Sequence, residues 1–456
     1  MTQATLPTTQ AAEDAAVDCL IVGGGFTGLS AALDLTRQGR SVLLLEQDAS
    51  LGGLAGGFDI GGFELEKFYH HWFVSDREVT DLVAELGRTD SVVTHEARTG
   101  MYFSNNFFRL STPVDLLRFS ALPFLERIRL GIGVLRARQV RDWMQLENRS
   151  SREWLLELFG EKVFKVVWEP LLVGKFGVFA DTISAVWFWK KLVLRGGSRA
   201  NSGKEMLAYY RGGFAALARH MGEEILRRGG RIETGQSAQR VIAENGRALA
   251  VETSKGIYKA KSVLLTTALP DAADLLRDAA PETYLQALRR VQYLANICLV
   301  LQLDRSLSST YWLNVNDPGF PFVGVIEHTN FEPPQYYGNS HIVYLSRYLP
   351  ATDAFYTMPD DELLEFAMPH LKRMFPAMEK SWIKQHYVWR ADYAQPIVEK
   401  HYSKIVPGMQ TPLENVLIST MAQVYPEDRG TNYAIREGKK VAAHIVNSLS
   451  ATKPQA

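Results

Sequence analysis

The sequence is poor in cysteine, with only Cys19 and Cys298 among its 456 residues. They lie far apart, each within an apolar run that predicts a buried strand, and no Cys-x-x-Cys pair is present. We therefore interpret both as core residues and predict no disulfide framework. The low cysteine content is typical of a reducing compartment, which favours a cytoplasmic location.

The sequence also lacks an excess of charge of either sign. Fifty basic residues balance fifty acidic ones, so no overall field favours nucleic acid as a partner. No stretch reaches the roughly 18 uninterrupted apolar residues of a membrane-spanning helix. The ten histidines show no metal-ligand spacing, so we predict no metal site. Residues 1–15 and 451–456 lack a signal-peptide pattern and are predicted to be disordered tails.

A glycine-rich turn near the N-terminus is the most informative motif that is present. It follows a buried strand and opens a predicted helix. In such a turn Gly23 permits the tight bend, Gly25 lets the backbone approach a pyrophosphate, and Gly28 lets the helix pack on the strand. Glu46 ends the next apolar strand, where an acid can bind the adenosine ribose. The pattern predicts a dinucleotide site formed by Gly23, Gly25, Phe26, Thr27, Gly28 and Glu46.

A second glycine-rich turn, residues 51–58, follows that acid directly. The pairing of the two turns resembles the FAD fingerprint of the flavin amine oxidase superfamily, which includes protoporphyrinogen oxidase and phytoene desaturase. The resemblance implies FAD as the cofactor, with Gly52, Gly53 and Leu54 near it. Many relatives carry an arginine where this chain has Leu54, so a contact from that arginine is lost. Because no cysteine lies near the C-terminal flavin motif, we predict that the FAD is bound non-covalently.

Three later segments extend the resemblance along nearly the whole chain. Residues 210–267 look like the second FAD-binding segment of the family, in which Val241 is assigned to the cofactor. Residues 170–181 are similar to the stretch that enters the substrate domain of protoporphyrinogen oxidase. Residues 415–438 read as a buried strand followed by the last helix. In the superfamily the N-terminus of that helix faces the flavin pyrimidine, which implies cofactor contacts from Gly430, Thr431, Asn432 and Tyr433.

The order of these segments predicts an α/β fold in which a Rossmann-like FAD-binding domain is interleaved with an α+β substrate domain. The FAD-binding domain is expected to comprise residues 16–74, 205–275 and 408–450. The substrate domain is expected to comprise residues 75–204, largely helical, and 276–407, which alternates β-rich runs with one clear helix over 360–375. No internal repeat interrupts this organisation.

Candidate residues for handling protons lie in the segment 63–73, which is expected to pass near the flavin ring. It contains His70 and His71, and histidine titrates near neutrality or hydrogen-bonds a substrate oxygen. Adjacent side chains on a strand face opposite sides, so we expect at most one of the two to face the flavin. Lys175, in a predicted glycine-flanked loop, could bind an anionic group, although we favour a solvated lysine. Tyr425 could line the pocket or pack against the last helix.

Two functions fit these features. The first is an FAD-dependent oxidase, dehydrogenase or desaturase that transfers a hydride from a substrate C–H bond to flavin N5. The alternative is an isomerase that uses reduced FAD on a nucleotide sugar, as in UDP-galactopyranose mutase, whose histidine-bearing segment looks somewhat like 69–73. A mutase needs arginines that converge on a pyrophosphate. The aromatic content of the inserts favours an oxidoreductase with a small, apolar or lipid-linked substrate; the aromatic residues are Trp187, Phe188, Trp189, Tyr293, Tyr311 and Trp312.

The segment 118–141 has six arginines and only one acid, Glu126. The arginines alternate with large apolar residues, so the segment could lie on a lipid surface as a peripheral membrane contact. The interpretation that we favour is a helical cap whose apolar face packs on the substrate domain while the arginines are solvated.

Overall fold

The computed structural model describes residues 16–109, 112–197 and 205–451. The predicted tails lie outside these residues, except for Ala451, which ends the last helix. The described strands are β1 (Val17–Val22), β2 (Val42–Leu45), β3 (Gly57–Asp59), β4 (Glu64–Glu66), β5 (Trp72–Phe73), β6 (Val92–Glu96), β7 (Thr99–Phe103), β8 (Asn106–Arg109), β9 (Met206–Tyr210), β10 (Arg231–Glu233), β11 (Ala238–Glu244), β12 (Arg247–Thr253), β13 (Gly256–Leu265), β14 (Tyr293–Leu303), β15 (Trp312–Val315), β16 (Gly324–Glu327), β17 (His341–Leu349), β18 (Ile383–Pro396) and β19 (Val416–Ile418).

Helices are distributed along the same described ranges. They are α1 (Phe26–Arg37), α2 (Arg77–Glu85), α3 (Pro113–Arg118), α4 (Phe124–Gln139), α5 (Ser151–Phe159), α6 (Glu161–Val163), α7 (Glu169–Phe176), α8 (Ala185–Gly197), α9 (Gly213–Arg227), α10 (Leu269–Leu275), α11 (Glu282–Arg289), α12 (Asp360–Met374) and α13 (Thr431–Ala451). A π-helical turn, Phe164–Trp168, joins α6 to α7.

The first large sheet collects strands from distant parts of the chain. Its parallel strands run in the order β10, β2, β1, β13 and β19, and β12 and β11 extend β13 as an antiparallel meander. The strand β1 is buried on both faces, with Leu20 and Val22 in one core cluster and Cys19 and Ile21 in another. Strands covered on both sides are typical of parallel sheets between helices and other layers. This topology is the α/β core that the nucleotide motif predicts.

Three helices cover one side of this sheet. The first helix, α1, packs against β1 and β2 and also against α9 and α13. The approach of α13 is close, since a Cβ at Gly438 would lie 2.5 Å from the carbonyl oxygen of Thr27. The Ser30 hydroxyl donates to the carbonyl of Ile435 at 3.0 Å. The beginning and the end of the described chain are therefore packed into one unit.

The second large sheet has the strand order β18, β14, β17, β16, β15, β7 and β8. The long strand β14 pairs antiparallel with β17 and β18, and alternate residues of β14 face α12 through Ile297, Leu299 and Leu301. There are also two smaller sheets. One pairs β3 with β4, and the other has the strand order β5, β9 and β6. The observed α12 coincides with the predicted helix over 360–375 to within one residue at its C-terminus.

The largely helical insert is divided into several short helices. Pro123 precedes α4, and the chain turns between α3 and α4. The next helix, α5, begins with a capping box, since Ser150 accepts from the Glu153 amide and Glu153 accepts from the Ser150 amide. Gly160 then ends α5 with a φ of 76°.

A buried acid, Glu66, joins β4 to the N-terminus of α9. Its side-chain oxygens accept hydrogen bonds from the Tyr209 hydroxyl at 2.8 and 2.9 Å and from the Phe214 amide at 2.8 Å. Burial raises the pKa of Glu66 to about 7, although these hydrogen bonds oppose the shift. The folded chain therefore holds a proton on Glu66 more tightly than an unfolded chain does.

We expect the free energy of unfolding to fall as the pH rises from about 4.5 to about 7, because over this window the folded state binds the extra proton. The contribution of Glu66 to this fall is on the order of 3 kcal/mol. Denaturant titrations at several pH values check it on the parent and on Glu66→Gln, which keeps the side-chain shape without the proton equilibrium. Curves that keep the same separation at every pH would contradict the assignment.

Candidate active site

A cavity of about 930 Å³ opens where the parallel strands of the first sheet end. Val22, Leu45 and Thr266, at or just after the ends of β1, β2 and β13, all line it. Open α/β sheets bind ligands at the carboxyl ends of their strands. The cavity therefore lies where the predicted cofactor site is expected.

The first glycine turn has the geometry that its sequence predicts. Gly23 has a φ of 110°, a conformation that favours glycine. A Cβ on Gly28 would lie 2.0 Å from the Gly23 carbonyl oxygen, so only glycine allows this helix to pack on its strand. Gly25 differs, because a Cβ there meets nothing within 4 Å. Gly25, Phe26 and Thr27 line the cavity, so the open space beside Gly25 belongs to the site.

The second glycine turn lies against the first. The Gly52 amide donates to the Gly24 carbonyl at 2.9 Å, and Gly25 and Gly52 form an isolated parallel bridge. Gly52 and Gly53 have φ values of 115° and 57°, and both line the cavity together with Leu54. The two turns thus form one wall of the cavity.

Glu46 joins the first turn to the segment after β2 through its carboxylate. Its oxygens accept hydrogen bonds from the Gly24 amide at 2.6 Å and from the Asp48 amide at 2.8 Å. The side chain is buried and lines the cavity, and burial raises its pKa against the effect of these bonds. Each carboxylate oxygen can accept more than one bond, so Glu46 can hold the turn and still bind a ribose hydroxyl.

Two buried polar atoms on the cavity wall fit a bound dinucleotide. Gln236 and Thr420 both line the cavity, and the Gln236 Oε1 and Thr420 Oγ1 atoms have no hydrogen-bond partner among the described residues. Buried polar atoms normally find a partner. The hydroxyls and amines of FAD supply such partners, so the residues present here fit that group.

Several predicted cofactor contacts need correction. Val241 is buried in the sheet and does not line the cavity, whereas Ala238, three residues earlier at the start of β11, does. Gly430 and Thr431 line the cavity at the start of α13, as does Ala434. Asn432 and Tyr433 face away from it. The Asn432 side chain accepts from the Val79 amide, and the Tyr433 ring lies 5.0 Å from the Arg436 guanidinium.

The two adjacent histidines have different surroundings, although both lie between β4 and β5 and on neither strand. His70 lines the cavity, and its Nδ1 lies 2.6 Å from the Phe68 carbonyl oxygen, which fixes that nitrogen as the protonated one. Burial lowers the pKa of His70 to about 4, with a further lowering from Arg429 and an opposing effect from the Phe68 carbonyl. His71 points elsewhere, with Nδ1 2.9 Å from the Tyr311 hydroxyl and its ring against Trp312. At neutral pH His70 is therefore a neutral group with Nε2 as an acceptor.

Lys175 and Tyr425 do not line the cavity. Lys175 is in the last turn of α7, not in a loop, and its ammonium lies 4.8 Å from the ring centre of Tyr348 and 5.2 Å from that of Trp187. Burial lowers its pKa well below the ordinary range. Because the residue is half-buried and its ammonium packs on these rings, the solvated-lysine interpretation is wrong. Tyr425 donates to Glu147 at 3.1 Å, and this neighbourhood raises its pKa. The Tyr425 ring packs against Trp143 and Tyr402.

Arg429 is a cavity residue that sequence reasoning did not single out. Its guanidinium donates to Gln395 Oε1 at 3.1 Å and to the Tyr348 hydroxyl at 3.0 Å. Burial would lower its pKa, but Tyr348 and Asp428 raise it, so the charge is retained. The sequence feature that could have identified Arg429 is its position directly before α13. The N-terminus of that helix also carries positive potential.

Asp428, next to Arg429, is a buried anion among several cations. It accepts from the Trp187 indole at 2.8 Å and forms an ion pair with Lys191. Burial alone would raise its pKa, but Lys191, Lys175 and Arg429 together bring it well below its usual range. Asp428 therefore compensates the positive charge of Lys191, Lys175 and Arg429 beside the cavity.

The aromatic residues that favoured an apolar pocket are placed differently. None of the six described side chains lines the cavity, since Trp187, Phe188, Trp189 and Tyr311 are buried in core clusters. The aromatic lining comes from Phe26, Phe68, Tyr356 and Tyr393. The cavity wall is thus mixed, with charged and polar groups among these rings.

Together, the parallel sheet, the paired glycine turns and the buried acid define a dinucleotide-binding flavoprotein. The chain belongs to the flavin containing amine oxidoreductase family, whose model matches residues 26–446. It is an FAD-dependent oxidoreductase, and its cofactor is FAD.

Individual relatives agree with this family over most of the chain. The zeta-carotene desaturase of Solanum lycopersicum is 21% identical over 483 aligned positions, which cover 94% of this chain and 80% of the desaturase. A reduced UDP-galactopyranose mutase has a TM-score of 0.74 at 15% identity, with 96% of each chain covered. Cyclohexylamine oxidase from Brevibacterium oxydans IH-35A has a TM-score of 0.68 at 15% identity and covers 96% of this chain and all of its own. These structural likenesses show the shared fold.

Two negative observations complete the site. Within residues 16–109, 112–197 and 205–451, no helix is long and apolar enough to cross a membrane. In the same part of the chain, no group of three His, Cys, Asp or Glu side chains is arranged to hold a metal ion.

Proposed function

We propose that this chain oxidises a small organic substrate at a C–N or C–C bond by removing a hydride from a C–H group. When bound, FAD accepts that hydride at its N5 atom. The observation that carries the proposal is that one cavity joins both glycine turns and Glu46 to His70, Arg429 and the start of α13. One site can thus hold a dinucleotide and present a reacting face beside charged and neutral side chains.

We propose the following roles for the lining residues. Gly25 and the first turn of α1 bind the pyrophosphate, and Glu46 binds the adenosine ribose. Arg429 and the N-terminus of α13 stabilise negative charge that develops at the other end of the cavity. His70 cannot supply a proton at neutral pH because its pKa is near 4, so its Nε2 accepts a hydrogen bond and orients the substrate.

The topology supports the predicted division of labour. The first sheet draws its strands from the ranges 16–74, 205–275 and 408–450, and most of the second sheet comes from 276–407. We therefore propose that the second sheet and the helices of 75–204 bind the substrate. Residues Arg390, Asp392 and Tyr393 of β18 bring this sheet to the cavity wall.

The mutase alternative needs arginines that are available to a pyrophosphate. Arg390 and Arg429 line the cavity, but protein groups engage both. Arg390 donates to the Tyr356 carbonyl and pairs with Asp360, and Arg429 donates to Gln395 and Tyr348. This arrangement supports oxidation over transfer of a nucleotide sugar.

Anaerobic mixing of the holoprotein with pools of amines, porphyrinogens and polyprenoids tests the proposal through the flavin absorbance. Bleaching by one pool without added reductant supports hydride removal and names the substrate class. If no pool bleaches the flavin, and a nucleotide sugar is converted only after chemical reduction of the protein, the proposal is overturned in favour of the mutase.

Separate His70→Gln and His71→Gln variants are expected to differ. His70→Gln should slow flavin reduction about 10-fold with FAD content preserved, which corresponds to one hydrogen bond of about 1.4 kcal/mol. The rate in the parent should show no step from His70 between pH 5 and 8, since the pKa of His70 is about 4. His71→Gln should keep the rate and lower the thermal midpoint, because His71 contacts Tyr311 in the core. Equal reduction rates in parent and His70→Gln would remove His70 from the site.

A further inference from the structure

The helix α4 exposes a stripe of large apolar side chains. The stripe consists of Leu125, Ile128, Ile132 and Leu135, whose spacings of three, four and three residues place them on one helical face. Their exposed fractions range from 40% to 77%. Phe124 at the start of α4 and Val114 and Leu117 on the adjacent α3 are also exposed. Contiguous exposed apolar surface of this kind marks an interaction site.

The opposite face of α4 is held firmly against the protein. Leu130, Gly133 and Ala137 are buried, and a Cβ on Gly133 would lie 2.3 Å from the Phe159 ring. The Trp189 indole donates to the Ala137 carbonyl at 3.0 Å. The stripe cannot rotate inward, so the expected packing of the large apolar residues of 118–141 on the substrate domain is wrong for these four side chains.

The positive charges beside the stripe favour an anionic partner. Six arginines and one acid occupy 118–141. At 100° per residue, Arg129 and Arg136 border the stripe on one side and Arg127 and Arg138 border it on the other. Arg129, Arg136 and Arg138 are exposed, whereas Glu126 lies on the buried side of the helix. Apolar side chains between two rows of arginine complement the acyl boundary and the phosphates of an anionic lipid surface.

We propose that α3 and α4 dock this protein on an anionic membrane surface, with the apolar stripe inserted at the level of the headgroups. The exposed arginines Arg129, Arg136 and Arg138 bind lipid phosphates, whereas the Arg127 guanidinium donates to the carbonyls of Leu122 and Leu117. A second copy of this chain complements the site less well, because two such surfaces would bring like charges together. The docking depends on the surface of α3 and α4 alone and does not require turnover.

Sedimentation of the holoprotein with vesicles tests this proposal. The probes are vesicles of phosphatidylcholine alone and of phosphatidylcholine mixed with phosphatidylserine. We expect binding to the mixed vesicles, weaker binding to the neutral ones, and loss of binding between about 0.1 M and about 1 M salt, where the Debye length falls from about 10 to about 3 Å. Equal binding to both vesicle types, or none to either, would overturn the proposal.

Three double variants assign the binding to the stripe and its arginines. Leu125→Gln with Ile132→Gln, and Arg136→Gln with Arg138→Gln, should each weaken binding to the mixed vesicles about 10-fold or more. The control is Leu226→Gln with Ile257→Gln, which changes exposed apolar residues on α9 and β13. It should bind as the parent does. The flavin spectrum and thermal midpoint of each variant report whether the fold is retained.

The remaining outcomes count against the proposal. If the stripe variant sediments with vesicles as the parent does, docking does not use α4. If the parent forms a stripe-dependent dimer in size-exclusion runs and fails to bind vesicles, the surface is an interface between copies of the chain.

Discussion

Replacing Gly25 by alanine is expected to yield a folded protein that no longer retains FAD. Gly25 has φ −73° and ψ 175°, an extended conformation that alanine adopts without strain, and a new Cβ meets no protein atom within 4 Å. The methyl group would occupy the cavity at the point where the backbone approaches the pyrophosphate. We expect at least about 100-fold weaker FAD binding, about 2.8 kcal/mol at 1.4 kcal/mol per tenfold. Flavin titration of the apoprotein measures it.

The matched substitution Gly28→Ala separates cofactor contact from packing. Its Cβ would meet the Gly23 carbonyl oxygen at 2.0 Å, so the turn or the helix must move, at about 3 kcal/mol or more. The apoprotein should therefore lose thermal stability in Gly28→Ala and keep it in Gly25→Ala. If Gly25→Ala holds FAD as tightly as the parent, the cavity beside this turn is not the pyrophosphate site.

Neutralising Asp428 is expected to destabilise the fold by about 3–5 kcal/mol, the range for breaking a buried ion pair. Asp428→Asn can still accept from the Trp187 indole, so the change isolates the charge. Lys191, Lys175 and Arg429 would then face one another without the carboxylate. Denaturant unfolding of parent and variant gives the difference in free energy of unfolding.

The pH dependence and a surface control sharpen this test. The folded pKa of Asp428 lies below the ordinary value, so its stabilisation is fully present above about pH 4 and is lost only in stronger acid. The titration of Asp428 itself should therefore leave the gap between parent and Asp428→Asn unchanged from pH 5 to 8. Asp181→Asn removes an exposed partner of Arg152 and should change stability by less than about 1 kcal/mol. Equal effects of the two substitutions would show that Asp428 has no special charge role.

The parts of the fold that follow from local chemistry could be predicted from the sequence. The turn at Gly23 requires glycine because of a positive φ, and Gly28 requires it because of a close contact within the same motif. The periodicity of α9 and α12 and the apolar run of β14 are likewise local signals, and all three elements are present. The different surroundings of His70 and His71 do not follow from strand alternation, because both residues lie between β4 and β5 and on neither strand.

The remaining errors concern orientation, which depends on distant partners. Whether Val241 or Ala238 reaches the cavity depends on the pairing of β11 with β12 at the edge of the first sheet, where the register shifts between Ala238 and Arg240. Arg429 acquires its role from Gln395 and Tyr348, which lie on two strands of the other sheet. The helix α4 is apolar on two faces, so its periodicity does not decide which face is buried; the contact of Gly133 with Phe159 decides it.

The packing of α1 against α13 has a consequence for the order of events during synthesis. Ser30 and Ile435 are joined across 405 residues, and Thr420, Gly430 and Thr431 complete the wall that Gly23 and Gly25 begin. Synthesis proceeds at roughly 5–20 residues per second, so a nascent chain contains only the first part of the cofactor site for tens of seconds. FAD can be captured in full only after the chain has been synthesised as far as the start of α13, because Gly430 and Thr431 complete the cavity wall.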